Sequence, residues 1–267
     1  MNKKLGLGTV MLLGLLIAFF LMPIVLELDP MATNVTNRFG SPGPGAWLGT
    51  DHLGRDLLAR LIYGGRLTVG LTLGALLTAL VTGGLVGLLS GYFGGVWDAI
   101  LSYVLELFLA FPNMVLSLLI VALLGGGIEN TFIAVSLVAW VPYARMVRGA
   151  VLSLKQQDFI KGARLAGSGH FAILFRHIVP NVLDTLAIFS GTNFGFIMLQ
   201  FAGLSFLGLG ASLEVAEWGA MLQNYLGHMQ VAPRLVLAPA LALAYTAAAF
   251  ALLGEGLAET AKEKWQG

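Results

Sequence analysis

With 267 residues, 57% of them hydrophobic and only 11% charged, and a mean hydropathy of +0.85, the chain is too apolar for a soluble domain, where about a quarter of residues carry charge. A net charge of +1 argues against a nucleic-acid-binding surface. The absence of cysteine excludes disulfides, thiolate metal sites and cysteine nucleophiles.

The opening run, MNKKLGLGTVMLLGLLIAFFLMPIVLEL, is about twice as long as a signal-peptide core and lacks a small-residue cleavage site. It therefore reads as a retained membrane helix covering residues 1–28. Residues 29–66 follow as an extracytoplasmic loop punctuated by proline and glycine, FGSPGPGAWLGTDHLGRDLLARLIYGGR, whose second half has helical spacing. Apolar runs near the ~20 residues that cross a bilayer fall at about Leu5–Leu26, Leu67–Leu89, Ala99–Leu124, Thr131–Leu154, Val182–Leu204 and Leu235–Gly254. They predict six spans and one all-α polytopic membrane domain, because a spanning helix satisfies its own backbone and the alternation of a barrel is absent. Residues 67–267 form its core, with Ser205–Pro233 as a re-entrant or surface segment.

Span two carries Gly83, Gly87 and Gly91 at four-residue spacing, after Gly70 and Gly74. Such a stripe lets helix backbones approach closely, within the subunit or at a subunit interface. Glu106 lies in span three, six residues before Pro112. An acid at membrane depth needs a partner or a wet cavity. Arg145 and Arg148 are its expected partners, in a structural ion pair or on a transport route. Asn193 and Gln200, seven residues apart in span five, share a helix face. They either bond neighbouring helices or line a translocation path. His52, His228, Met221 and Met229 are isolated and not at ligand spacing, so no metal site is expected.

Lysine and arginine placement orients the chain. With the N-terminus inside, Lys3, Lys4, Arg145, Arg148, Lys155, Lys161, Arg164, Arg176, Lys262 and Lys264 face the cytoplasm, and Arg38, Arg55, Arg60, Arg66 and Arg234 face outward. Both termini are therefore expected in the cytoplasm. No G-x-x-x-x-G-K-[ST] loop, HExxH or GxSxG occurs, so the chain itself has no nucleotide-hydrolysing or hydrolase machinery. Energy must come from a partner subunit, or from an ion gradient if the chain is an ion-coupled carrier. Transport in liposomes without ATPase subunits would identify the carrier.

Between spans four and five lies a basic, small-residue segment, residues 155–181, containing KGARLAGSGHFAILFRHIVPN. Asp158 is a fair N-cap for a short helix running to Leu165, broken near Gly167–Gly169, with a second helix leading into span five. Phe159, Ile160, Ala163, Leu165 and Ala166 are too few and small to anchor a core. They suit a knob that fits a partner's groove, with lipid-headgroup contact as the alternative.

This segment resembles the cytoplasmic EAA loop of ABC-importer permeases. Lys161-Gly162-Ala163 occupies the E-A-A positions, Gly167 the glycine and Ile178-Val179-Pro180 the closing element, with Lys161 standing for Glu and Gly162 for Ala. WLGTDHLGRDLLARLIYGGR, FPNMVLSLL, WVPYARMVRGAVLSL, AGLSFLGLG and EWGAML extend the resemblance over nearly the whole chain, to the second permease of the dipeptide/oligopeptide/nickel family. GTDHLGRD, RLAGSGH, AGLSFLGLG and AEWGAM resemble its nickel or metal-chelate branch.

The resemblance implies a type I importer fold, a five-helix core plus an N-terminal helix, in the bacterial inner membrane. It implies a homologous second permease, two ATPase subunits that bind ATP and magnesium, and an extracytoplasmic binding protein, with no catalytic residue, cofactor or metal in this chain. Asp158, Phe159, Lys161, Gly162, Ala163, Arg164 and Gly167 would form the ATPase-coupling contact. Asn193, Gln200 and Glu106 are the candidates for the path. Nickel or a metal chelate is the expected solute, with di- or oligopeptides as the alternative.

Overall fold

A computed structural model describes residues 3–212 and 214–266, the last four by backbone alone. The first helix, α1 (Lys3–Leu16), passes through a π-turn at Ile17–Leu21 into α2 (Met22–Val25), making one apolar rod, Lys3–Val25. Pro23 has no N–H to give the Phe19 carbonyl one turn back. The guanidinium Nε of Arg66 donates to that carbonyl instead, tying the rod to the next helix.

That helix, α3 (Leu57–Phe93), starts well before Leu67, so the helical half of the 29–66 loop is continuous with span two. Asp56 caps it, its carboxylate accepting from the N–H groups of Leu58 at 2.7 Å and Ala59 at 3.4 Å. At 37 residues α3 is about 55 Å long, which exceeds a ~30 Å hydrocarbon core and carries its ends beyond it. Its glycine stripe packs inside the subunit. A methyl at Gly83 would sit 2.5 Å from the Trp140 carbonyl oxygen, and one at Gly87 would collide with that of Ala144. Both neighbours are backbone of α6 (Ile128–Leu154), which cannot move aside.

Span three is not a single helix over Ala99–Leu124. It is α4 (Gly95–Leu109) and α5 (Asn113–Leu124), bent by 87° at Ala110–Pro112. Pro112 disfavours helical geometry at the residue before it and withholds a hydrogen bond, while Gly94 and Gly95 at positive φ fold α4 back from α3. Among the described residues, five helices are long and apolar enough to cross a membrane, and the bent pair makes a sixth candidate.

After α6 come α7 (Asp158–Leu165) and α8 (His170–Ile173), then a π-turn at Leu174–Ile178 and α9 (Val179–Phe206). Span five is thus one helical run from His170 to Phe206, starting earlier than Val182. The Ser205–Pro233 segment contains α10 (Trp218–Leu226), too short to span and buried through Trp218, Met221 and Tyr225. The last helix, α11 (Arg234–Gln266), packs on α9 where Gly191 meets Gly254 and on α1 where Gly8 meets Leu253. Lys4 joins Glu255 at 2.8 Å and Glu259 at 2.9 Å across that second contact. Among the described residues there is no β-strand, only two isolated bridges.

Candidate functional site: the segment 155–181 and a charged cavity at one end of the bundle

The segment 155–181 closes one end of the bundle. Asp158 is the first residue of α7, not its N-cap; extended Gln157 holds the cap position, with no side-chain cap bond. The Asp158 carboxylate instead takes Lys161 Nζ at 3.0 Å on the exposed face. The helix ends as a Schellman turn: Gly167 N–H donates to Arg164 O, Ser168 N–H donates to Ala163 O, and Gly167 sits at φ +81°.

Against the sequence expectation, the segment is anchored. Ile160 is fully buried and Ala163 half-buried against the core, while Phe159 and Leu165 point out, Leu165 with 90% exposure. Lys161, Gly162 and Arg164 are exposed beside them. Buried Ile160 and exposed Leu165 make α7 a rooted peg.

Three residues the sequence reading passed over fasten this segment to α3. Lys155 Nζ donates to the Gly91 and Tyr92 carbonyls at 3.1 and 2.7 Å, satisfying acceptors of the last turn of α3. Burial lowers the Lys155 pKa, and Arg164 adds to that effect. The Tyr92 hydroxyl lies 3.0 Å from His170 Nδ1, just past the Gly167 turn. A lysine directly after a predicted span was the only sequence signal for any of this.

Nearby, Arg148 does not pair with Glu106. Its Nε and Nη2 bind the two carboxylate oxygens of Asp98 at 2.5 and 2.8 Å, and Ser90 Oγ also donates to Asp98. The Gly94–Gly95 turn places Asp98, in the first turn of α4, at the level where Arg148 passes Gly91. Glu106, about two turns further along α4, remains exposed. It lines a cavity of about 450 Å³ with Ser102, Ala110, Arg145 and Arg148.

The two amides of span five have protein partners. Asn193 Nδ2 donates to the Tyr143 hydroxyl at 3.4 Å, and Gln200 Nε2 to Ser117 Oγ at 2.5 Å, bonding α9 to α6 and to α5. Both residues are only half-exposed.

At the opposite end, GTDHLGRD folds around the fully buried Asp51. This carboxylate accepts from Leu53 N, Arg55 N and Arg55 Nε at 2.8, 3.0 and 2.7 Å, and from the Tyr225 hydroxyl at 3.1 Å. Burial alone would raise its pKa, but the Arg55 and Leu53 bonds outweigh it and hold the carboxyl below its ordinary value. Glu217 caps α10 through Gly219 N and Ala220 N and accepts from Thr68 Oγ1 at 3.0 Å, locking α10 to α3.

His52 and His228 are not isolated: their rings stack, 4.9 Å between centroids. Met221 is core and Met229 half exposed. No group of three or more His, Asp or Glu able to hold a metal occurs among the described residues.

Comparisons with known proteins agree with this architecture. The family described as binding-protein-dependent transport system inner membrane component matches residues 83–261. The chain is similar to the nickel transport system permease protein NikC of Escherichia coli (strain K12), 38% identical over 232 residues, 87% of this chain and 84% of the relative. It is 34% identical to the dipeptide transport system permease protein DppC of Alkalihalophilus pseudofirmus over 263 residues, 98% of this chain and 86% of the relative. It is 41% identical to the glutathione transport system permease protein GsiD of Shigella flexneri serotype 5b over 231 residues, 86% of this chain and 76% of the relative. Among solved structures, a chain from inward facing conformations of the MetNI methionine ABC transporter superposes with a TM-score of 0.62 at 18% identity, covering 73% of this chain and 93% of that chain, a likeness of fold.

Proposed function

This chain belongs to the binding-protein-dependent inner membrane components, the permease subunits of ABC importers, and on that premise we propose that it forms half of the path for nickel or a small metal chelate. The family implies ATPase and substrate-binding partners for this multi-pass membrane protein. The other half of the path would come from a homologous second permease. Two cytoplasmic ATPases would bind ATP and magnesium and do the hydrolysis, for which this chain has no motif. Both termini would be cytoplasmic, in keeping with the excess of lysine and arginine at the end that carries residues 155–181.

The observation that carries the coupling role is the rooted peg. Ile160 ties α7 to the core, so a push on exposed Phe159, Lys161, Gly162, Arg164 or Leu165 is passed to the bundle rather than absorbed. Asp158 and the Gly167 turn frame the two ends of that surface. ATP-driven closure of the partners would move this peg and switch access from one side to the other.

The nickel reading is supported by similarity to NikC. Short peptides are the second reading, supported by comparable identity to DppC and GsiD.

Reconstitution of the complete complex tests both levels. ATP-dependent uptake should be lost when Leu165→Asp alters the exposed tip of α7, with insertion into the membrane unchanged. Uptake of radioactive nickel, with and without a histidine-like chelator, is compared with labelled di- and oligopeptides. Uptake that persists without the ATPases would overturn the importer role, and peptide uptake without metal uptake would overturn nickel.

A further inference from the structure

Among charged groups at membrane depth, Glu106 and Arg145 share one cavity, while Asp184 on α9 is exposed elsewhere. Arg148 is held by Asp98, and the amides of Asn193 and Gln200 are used in packing. Glu106 and Arg145 make no hydrogen bond or ion pair among the described residues, with each other or with anything else, yet both are exposed and line the same cavity of about 450 Å³. Its depth is set by α3: α6 passes Gly87 at Ala144 and Gly91 at Arg148 and Val151. The cavity therefore sits one to two turns inside the end that carries the coupling segment, which on the importer reading is where solute leaves.

Opposite charges left unpaired in the apolar part of a membrane are costly, and such groups face wet cavities and solute routes. We propose that Glu106 and Arg145 form an exit-side binding site for a small solute that carries both a free carboxylate and a positive centre. The Arg145 guanidinium takes the carboxylate through two parallel N–H donors, and Glu106 faces the positive centre. The cavity falls within the size range of small-molecule pockets. Arg145, with Arg148 in the same wall, disfavours a bare hydrated divalent cation. Ser102, Leu105, Leu109 and Ala110 complete the wall. Two groups fixed on different helices hold the solute only while α4 and α6 keep this spacing, so binding stays weak enough for release. A short peptide with free termini and an amino-acid chelate of a metal share this chemistry.

This inference rests on the importer reading, and the test separates the two. The chain has no cysteine, so Ser102→Cys, in a complex whose partners are also cysteine-free, places one thiol in the cavity wall. ATP-dependent uptake by that complex is measured first; failure with every solute counts against the importer reading. The rate of thiol modification from the coupling-segment side is then followed with added dipeptide, the same dipeptide capped at both ends, nickel with histidine, and nickel alone.

Protection is expected from the free dipeptide, from nickel with histidine, or from both, but not from the capped peptide or from nickel alone. The half-protecting concentration should rise roughly tenfold or more in Arg145→Gln and Glu106→Gln and less in Arg145→Lys. Where a charge variant fails to assemble, the free-against-capped comparison in the parent still decides. Uptake with no protection, protection indifferent to both charges, or a thiol that the partner permease shields throughout would overturn the proposal.

Discussion

The Nε of Arg60 stands 3.0 Å from the hydroxyl of Tyr225, although 165 positions separate them in the chain. The Tyr225 hydroxyl itself donates a hydrogen bond to Asp51, so one hydroxyl accepts from α3 and donates to the loop that precedes it. Burial pushes the Tyr225 pKa up to about 12, which keeps that proton in place. The remaining guanidinium nitrogens of Arg60 reach the Glu214 and Val215 carbonyls. Loop, helix start and α10 are thereby one buried unit.

Tyr225→Phe removes the shared hydroxyl and leaves two buried charged groups each short of a partner. A loss of about 1–3 kcal/mol is expected, read as a fall in the thermal unfolding midpoint of the solubilised protein. Tyr245→Phe, whose exposed hydroxyl donates to Met11 O at 3.3 Å, should change it little. Equal effects would show that burial of the network does not matter.

The same end should be sensitive to acid. Burial lowers the His52 pKa, with Arg55, His228 and Arg38 adding to the effect and Asp51 opposing it. Tyr225 faces the ring edge-on. A histidine that titrates lower when folded binds its proton more readily when unfolded. Its contribution is therefore complete above the ordinary value of 6.5 and is lost as pH falls from there towards the folded value. The lowered Asp51 carboxyl adds its own loss only further down, below 3.8. The protection of residues 29–56 from hydrogen exchange, relative to the intrinsic rate at each pH, should fall as pH drops from about 7 to 5.5, the range in which imidazoles titrate, and His52→Gln should flatten that dependence.

Gly87 and Gly84 make a matched pair on α3. A Cβ at Gly87 would strike the Ala144 carbonyl, whereas one at Gly84 meets nothing within 4 Å. Gly87→Leu should destabilise by about 1–3 kcal/mol or prevent folding, and Gly84→Leu should be tolerated. Yield of monodisperse protein in detergent and its unfolding midpoint distinguish them. Equal tolerance of both in the isolated subunit would instead place the stripe at a subunit interface.

Tyr92 and His170 join α3 to the segment 155–181 through a single 3.0 Å hydrogen bond. Tyr92→Phe should weaken the ATPase response to loaded binding protein by roughly fivefold, the equivalent of one hydrogen bond. An unchanged response would show that Lys155, bonded to the Gly91 and Tyr92 carbonyls, carries the connection alone.

Pro112 was readable in span three, but that the chain there folds one apolar run into two helices at 87° was not. The run is long enough for one span, and hydropathy carries no angle. The start of α3 at Leu57 was likewise visible only as helical spacing, because the polar residues of GTDHLGRD concealed a helix anchored by buried charges. In the segment 155–181, the Gly167 turn and the exposed basic face were legible. The burial of Ile160 was not, since one isoleucine among small residues signals no core.

From the sequence alone came the apolar runs, their helical state, the breaks at proline and glycine, and the basic, small-residue segment 155–181. These depend on local chemistry: backbone satisfaction in lipid, fixed φ at proline, freedom at glycine. Tertiary structure alone decided which charges meet. Arg148 takes Asp98 over Glu106, His52 finds His228 across the whole chain, and Asn193 and Gln200 bond neighbouring helices. Pairing is set by the level at which helices pass one another, and that level follows from close approach at Gly83, Gly87 and Gly91. Hydrophobic burial is non-directional and leaves register open; contact between particular backbones closes it.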